Sequence, residues 1–334
     1  MGPPSTSSGQ AAQHTAGMTL IFSLPPVGLI RVHLWFHAFR GYKMPKTSIT
    51  MLNSMADRVF ERALDRHVEW GLTHLDLKDR IFDKSIVDLT DDEAGRAASM
   101  IADRGLSVYC MSTTLFHANV ELGEDLFCGE HLGQIDRTIQ VARILQPDLV
   151  RLLGAMSERR SEISDAITYV ESDHPWLVRH YREAIEKLAA AGFSVTIENE
   201  CRDCVLSTPQ EILDLFAAID CGEAVNLTWD VQNLWQMGTF PSLDVYRRLK
   251  PLLAYYHIKG GISGEGTSDL QWKSSLEDAS WPVEDITTLV IADGVSPVIC
   301  LNGSHGERRE GYDYETVTER DLAYLRRNIT KADG

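Results

Sequence analysis

The sequence predicts an α/β protein folded as one (β/α)₈ (TIM) barrel, and three observations carry the prediction. Short β-rich runs alternate with helical patterns eight times along the 334 residues. Right-handed βα units with buried strands close most simply into a barrel. No composition shift or linker divides the units. The rival, a doubly wound sheet, lacks its glycine-rich nucleotide loop after the first predicted strand.

The units run in order. LIRVHLWF (29–36) reads as the first strand, and ADRVFERALDRHVEWG (56–71) as an amphipathic helix stopped by glycine. THLDL (73–77) precedes the helix DDEAGRAASMIADRG (91–105), and LSVYCM (106–111) precedes a helix near 131–145. DLVRLLG (148–154) leads to WLVRHYREAIEKLAAAG (176–192). FSVTIE (193–198) leads to TPQEILDLFAAID (208–220), where Thr208 suits an N-cap and Pro209 the first turn. VNLTWD (225–230) leads to PSLDVYRRLK (241–250), LAYYHIK (253–259) to WPVEDITTLVIADG (281–294), and PVICLN (297–302) to TVTERDLAYLRRNI (316–329). The barrel is expected over 28–330, after a small, polar, irregular or disordered segment at 1–27.

Composition narrows the function classes. The chain is 44% hydrophobic and 24% charged, ordinary values for a globular protein with a sizeable core. No run approaches the roughly 18 apolar residues that span a bilayer. The apolar MTLIFSLPPVGLI lacks a basic flank and is interrupted by Pro25 and Pro26, so no secretory signal is read. Six cysteines are too few for a disulfide scaffold, and a reduced, cytoplasmic protein is the expectation. A net charge of −16 repels phosphate backbones, so neither nucleic acid nor membrane is an expected partner. A homo-oligomer remains open.

In such a barrel the active site forms where the strands end. Strand 1 ends near His37, strand 2 offers Asp76 and Lys78, strand 3 Ser112 and Thr113, and strand 4 Arg151. Strand 5 ends in Glu198-Asn199-Glu200, strand 6 in Asp230 with Asn233 nearby, strand 7 in His257 and Lys259, and strand 8 in Asn302 and His305. A charge at the end of a buried strand is costly unless it is paired or coordinated. One oxygen or nitrogen donor from each of four neighbouring strands can surround a divalent cation. A mixed carboxylate and imidazole set suits Mn²⁺, Mg²⁺ or Co²⁺ better than a thiolate-held structural zinc.

The strand endings IENE, LTWDVQNLW, YYHIKGG and VICLNGSHGE resemble those of the xylose-isomerase-like barrels, the sugar-phosphate isomerase/epimerase superfamily, from about residue 28 to 330. The resemblance implies one bound divalent metal, Mn²⁺ first, with Mg²⁺, Co²⁺ or Zn²⁺ as alternatives. Carried over by position, Glu198, Asp230 and His257 hold it, with Asn302 at the fourth place. Three positions depart from the family pattern. Asn233 stands where a histidine is usual, Glu200 where Glu-Asn-His is common, and Asn302 where the family has glutamate. An asparagine carbonyl can ligate a hard cation, but it cannot accept a substrate proton.

The activity so implied is metal-assisted proton removal next to a carbonyl of a sugar or keto-sugar, through an enediolate. Glu198, Glu200, His305 and Lys259 are the candidate catalytic residues, and Glu307 could also supply a base. His37, Asp76, Arg151 and Asn233 are candidates for binding a sugar or polyol. Loss of the strand-8 glutamate weakens a two-base epimerase. It leaves open a one-base isomerase, or a lyase resembling keto-inositol dehydratases or enzymes that cleave keto-glycosides and C-glycosides. A degenerate barrel that only binds sugar is a further rival. A DNA-repair endonuclease of the same fold would need more histidines at the mouth and a basic groove.

Plainer roles compete at each position. Glu198 could pair with Arg151 or Arg202, Asp230 could cap a turn, His257 could be a hydrogen-bonded core residue, and Asn302 could shape a turn before Gly303. Cys201-Arg-Asp-Cys204 has redox spacing without the context for redox or zinc chemistry. Tryptophans 229, 235, 272 and 281 are core residues by default, with pocket lining the alternative.

Overall fold

Strands that are apolar along their whole length need cover on both faces, which a sheet gains by closing on itself inside a ring of helices. A computed structural model of the chain describes residues 47–303 and 313–333. Eight parallel strands form the sheet: β1 (Ser48–Thr50), β2 (His74–Leu77), β3 (Ser107–Ser112), β4 (Leu149–Leu153), β5 (Ser194–Glu198), β6 (Val225–Asp230), β7 (Leu253–Ile258) and β8 (Val298–Leu301). They are ordered β1-β8-β7-β6-β5-β4-β3-β2. The two end strands meet through a parallel bridge between Leu52 and Asp76, which nearly closes the barrel. Outside lie α1 (Phe60–Glu69), α2 (Asp91–Ala102), α3 (Ile135–Leu145), α4 (Trp176–Ala190), α5 (Pro209–Ile219), α6 (Leu243–Leu249), α7 (Val283–Asp293) and α8 (Tyr314–Asp333).

The predicted barrel is therefore observed, with one correction. Its first strand is Ser48–Thr50, seated between β8 and β2, and not the run at 29–36, which lies outside the described residues. The Ser-Ile-Thr strand is three residues long, too short for alternation to announce it. The run at 29–36 carries the stronger β-propensity, and propensity misled.

Local signals set several boundaries. The Thr208 side chain accepts from the Glu211 N–H, and Glu211 answers by accepting from the Thr208 N–H at 2.9 Å. This capping box, with Pro209 in the first turn, starts α5 where the sequence predicts. A large apolar layer fills the space between sheet and helices. A smaller cluster of Tyr109, Cys110, Leu149, Tyr255, Val298 and Cys300 joins β3 and β4 to β7 and β8, which meet only across the barrel interior. Trp229, Trp235 and Trp281 are all buried in the outer layer. No described helix is long and apolar enough to cross a membrane.

Register positions the mouth. Leu153 pairs with Glu198 and Glu198 with Thr228, while Asp230, two residues beyond Thr228, pairs with His257, so Asp230 and His257 share one level and Glu198 stands one step below them. The ladder between β2 and β3 shifts between Leu75 and Asp76. Such an irregularity re-aims the side chain that follows it.

Candidate active site

The strand ends surround a cavity of about 510 Å³. Glu198, Asp230 and Asn302 form its floor, and Lys78, His117, Glu200, Arg202, Asn233 and Lys259 line its wall. Glu198, Asp230 and His257 are buried, and one ligand atom from each lies within 4.8 Å of the others.

Asp230 closes β6 and opens a short helix, Val231–Gln236. Its Oδ1 accepts from the N–H groups of Gln232 (3.0 Å) and Asn233 (2.9 Å), the N-cap role. Asn199 clamps its backbone on both sides, accepting from Asp230 N–H at 3.0 Å and donating to Asp230 C=O at 2.8 Å. Oδ2 alone faces the other site residues. Lys259 Nζ lies 2.7 Å from it, and Asn302 Nδ2 donates to it at 3.1 Å.

Glu198 Oε2 pairs with Arg151 Nη1 at 2.5 Å, and Oε1 lies 3.1 Å from His257 Nδ1. Burial alone would raise this carboxyl's pKa, but Arg151, His257 and Lys259 outweigh it and hold Glu198 below the ordinary carboxylate range. Burial likewise pulls the His257 imidazole down. Glu198 and Asp76 reverse that and push it up to about 9. The Lys259 ammonium is raised against burial by Asp230 and Glu200.

Asp76 lies beneath the mouth, fully buried, and does not line the cavity. Ser112 donates to its Oδ1, Tyr255 OH donates to Oδ2 at 2.8 Å, and Oδ2 lies 3.5 Å from His257 Nε2. A carboxylate behind an imidazole orients the ring, a task different from the substrate contact expected of it. Arg151 is also buried. It reaches the cavity floor, pairs with Glu198, and donates through Nη2 to the Thr113 carbonyl at 3.0 Å.

Asn233 lines the cavity and accepts from Lys259 Nζ at 3.0 Å. Glu200 also faces the cavity, its Oε2 accepting from the Cys201 N–H at 3.1 Å. Asn302 Nδ2 lies 3.1 Å from His257 Nδ1 while its Oδ1 accepts from Cys300 Sγ at 3.3 Å, so the fourth expected residue stands beside the other three with its amide nitrogen, not its carbonyl oxygen, toward them. His37, His305 and Glu307 fall outside the described residues.

The donor set fits a divalent metal. It offers carboxylate oxygens and an imidazole nitrogen without a thiolate, and it carries the backing carboxylate that ligating histidines commonly have. A second grouping, Asp76, His257 and Cys300, shares the histidine but lies under the mouth. Cys201 and Cys204 are free thiols, both raised by burial, Cys204 to about 12, so neither is a ready thiolate. None of the described tryptophans is among the residues lining the cavity.

Sequence reasoning missed the residues that hold the site together. Asn199 stands between two glutamates that draw the attention, and Tyr255 lies within an apolar strand run with no mark of a role. Asn199 carried a usable signal, a buried amide at a strand end that must find partners.

Comparison with known proteins agrees with this fold. The family model described as xylose isomerase-like TIM barrel matches residues 64–320. A xylose isomerase-like TIM barrel protein from Mycobacterium smegmatis, solved in complex with magnesium, superposes with a TM-score of 0.64 at 17% identity, covering 88% of this chain and 100% of that one. A probable 3-DHS dehydratase from Bacillus anthracis gives 0.63 at 14% identity, covering 84% and 98%. The 3-keto-D-glucoside 4-epimerase from E. coli gives 0.62 at 14%, covering 84% and 100%. At these identities the likeness is one of fold. A search of curated protein sequences finds no match.

Proposed function

The chain belongs to the xylose isomerase-like TIM barrel family, and we propose that its mouth is the active site of a divalent-metal-dependent sugar or keto-sugar isomerase or epimerase. The observation that carries this reading is that Glu198 and Asp230, on the floor of a sugar-sized cavity, bring ligand atoms within 4.8 Å of one another and of the buried His257, which lies just beneath that floor and does not line the cavity. Glu198, Asp230 and His257 would hold the ion, with the Asn302 amide at the fourth place. A divalent ion there, Mn²⁺ first, would polarise a substrate carbonyl and stabilise the charge of an enediolate.

The chain's own residues divide the remaining work. Glu198 is kept ionised by Arg151 and is too well paired to be a strong base. Glu200 faces the cavity with its carboxylate hydrogen-bonded to the Cys201 N–H, and it is the better proton acceptor. Lys259 and Asn233 lie side by side at the wall and can donate to substrate hydroxyls or a developing oxyanion. Asp76 keeps His257 oriented.

A second reading is a lyase that expels a β-leaving group after the same proton removal. Asn302 favours it, because the amide that follows β8 cannot accept a proton as a second base. Both readings share the first step, so one experiment tests them. Metal-free protein is reloaded with Mn²⁺, Mg²⁺, Co²⁺ or Zn²⁺ and incubated in D₂O with a panel of ketoses, keto-glycosides and keto-inositols. Metal-dependent deuterium incorporation next to the carbonyl, lost on Glu200→Gln, is expected. Accumulation of an enone would select the lyase. Absence of exchange across the panel with every metal would overturn the catalytic reading.

A further inference from the structure

The metal site proposed above already contains a cation. Asp230 Oδ1 is committed to the helix cap, and its backbone is held by Asn199. Oδ2 is the oxygen left for a ligand, and the Lys259 ammonium is 2.7 Å from it. Two buried carboxylates, Glu198 and Asp230, thus already face side-chain cations, Arg151 and Lys259. Arg151 cannot leave without stranding Glu198, since both side chains are nearly inaccessible. Lys259 can. Its side chain is 14% exposed and lines the cavity, where Glu200 also stands.

Resting on the metal-dependent reading, we propose that Lys259 is a tethered competitor for the metal. With Nζ on Asp230 Oδ2 that carboxylate is already paired without an ion. A divalent cation binds there only when the ammonium swings off Oδ2 into the cavity, toward Glu200. Two cations sharing one carboxylate oxygen repel each other, so the two states exclude one another. The backbone can serve as a fixed pivot. The Lys259 carbonyl accepts from Trp281 Nε1 at 3.2 Å, and a Cβ on the following Gly260 would lie 2.1 Å from the Ser274 carbonyl oxygen. The apparent affinity for metal is reduced by the fraction of molecules in which the lysine blocks the site. The freed ammonium then reaches the cavity only in the loaded state, where it can meet substrate.

The test is calorimetric titration of Mn²⁺ into metal-free wild type, Lys259→Met, Lys259→Gln and Asp230→Asn. The neutral variants are expected to bind Mn²⁺ at least about tenfold tighter than wild type, and Asp230→Asn to lose binding. Lys259→Gln, which can still hydrogen-bond to Asp230 and Asn233, serves if Lys259→Met does not fold. In the wild type, Mn²⁺ should also speed reductive methylation of Lys259, followed by peptide mass spectrometry. Folded neutral variants that bind no tighter than a metal-binding wild type would overturn the competitor and leave the metal-dependent reading standing, as would slower labelling of Lys259 with Mn²⁺. If neither wild type nor the neutral variants bind Mn²⁺, both proposals fall.

Discussion

The barrel mouth and the seam beneath α8 both bury carboxylates, and they treat them in opposite ways. Glu198 at the mouth is held below the usual carboxylate range despite complete burial, because Arg151 and His257 stand against it. Asp321 on α8 is nearly as buried, and its Oδ1 accepts only the Leu276 N–H at 2.8 Å, with no ion pair among the described residues. Burial there wins, and its pKa is pushed up to about 7. Low polarity by itself neutralises an acid. A site that needs ionised carboxylates must import cations, and this accounts for the arginine and lysine inside the barrel.

Removing the imported cation is expected to have the largest effect. Arg151→Met leaves Glu198 buried without its partner and should destabilise the protein by about 3–5 kcal/mol in denaturant titrations. Adding Glu198→Gln should recover much of that loss. A loss under ~1 kcal/mol for the single variant would mean that the pair does not set the state of Glu198.

Asp76→Asn tests the positioning side of the mouth. Hydrogen bonds to Ser112 and Tyr255 can persist, but the charge behind His257 is gone. Metal affinity should fall about 10–100-fold by calorimetry.

The seam offers the converse experiment. The folded-state pKa of Asp321 is raised above its ordinary 3.8, so the native state holds this proton more tightly than the unfolded chain. The contribution is fully present below about pH 3.8 and is lost as pH rises to about 7. Asp321→Asn should remove that slope and be the more stable protein by about 1–2 kcal/mol near pH 8. An unchanged profile of stability against pH would remove Asp321 as the cause.

The smallest effect is expected at Arg320, the neighbour of Asp321, whose exposed guanidinium pairs with Glu277 and Asp278. Arg320→Ala should cost no more than about 1 kcal/mol, because solvent screens such pairs.

The difference between these regions also marks what could be read in advance. The strand ends at Glu198, Asp230, His257 and Asn302 were legible because each is polar at the close of an apolar run. Asp230 illustrates that rival readings need not exclude each other, since it caps a helix with one oxygen and presents the other to the site. The first strand was misplaced because three residues carry too little pattern. Asp76 reads as a substrate contact in the sequence because a carboxylate at a strand end looks the same whether it faces the cavity or a histidine.

The sequence by itself determined the alternating barrel pattern, seven of its eight buried strands and the charged residues at their ends. Those properties follow from local apolar periodicity and from the cost of burying polar groups. The tertiary structure alone decided which charges meet. Arg151 with Glu198, Lys259 with Asp230, and Asp76 with His257 are contacts between different strands, set by register and barrel closure. Tyr255 and Asp76, 179 residues apart, share a hydrogen bond only because the sheet curves back on itself. Electrostatic energy depends on separation in space, and a linear pattern carries no such distance until the chain is folded.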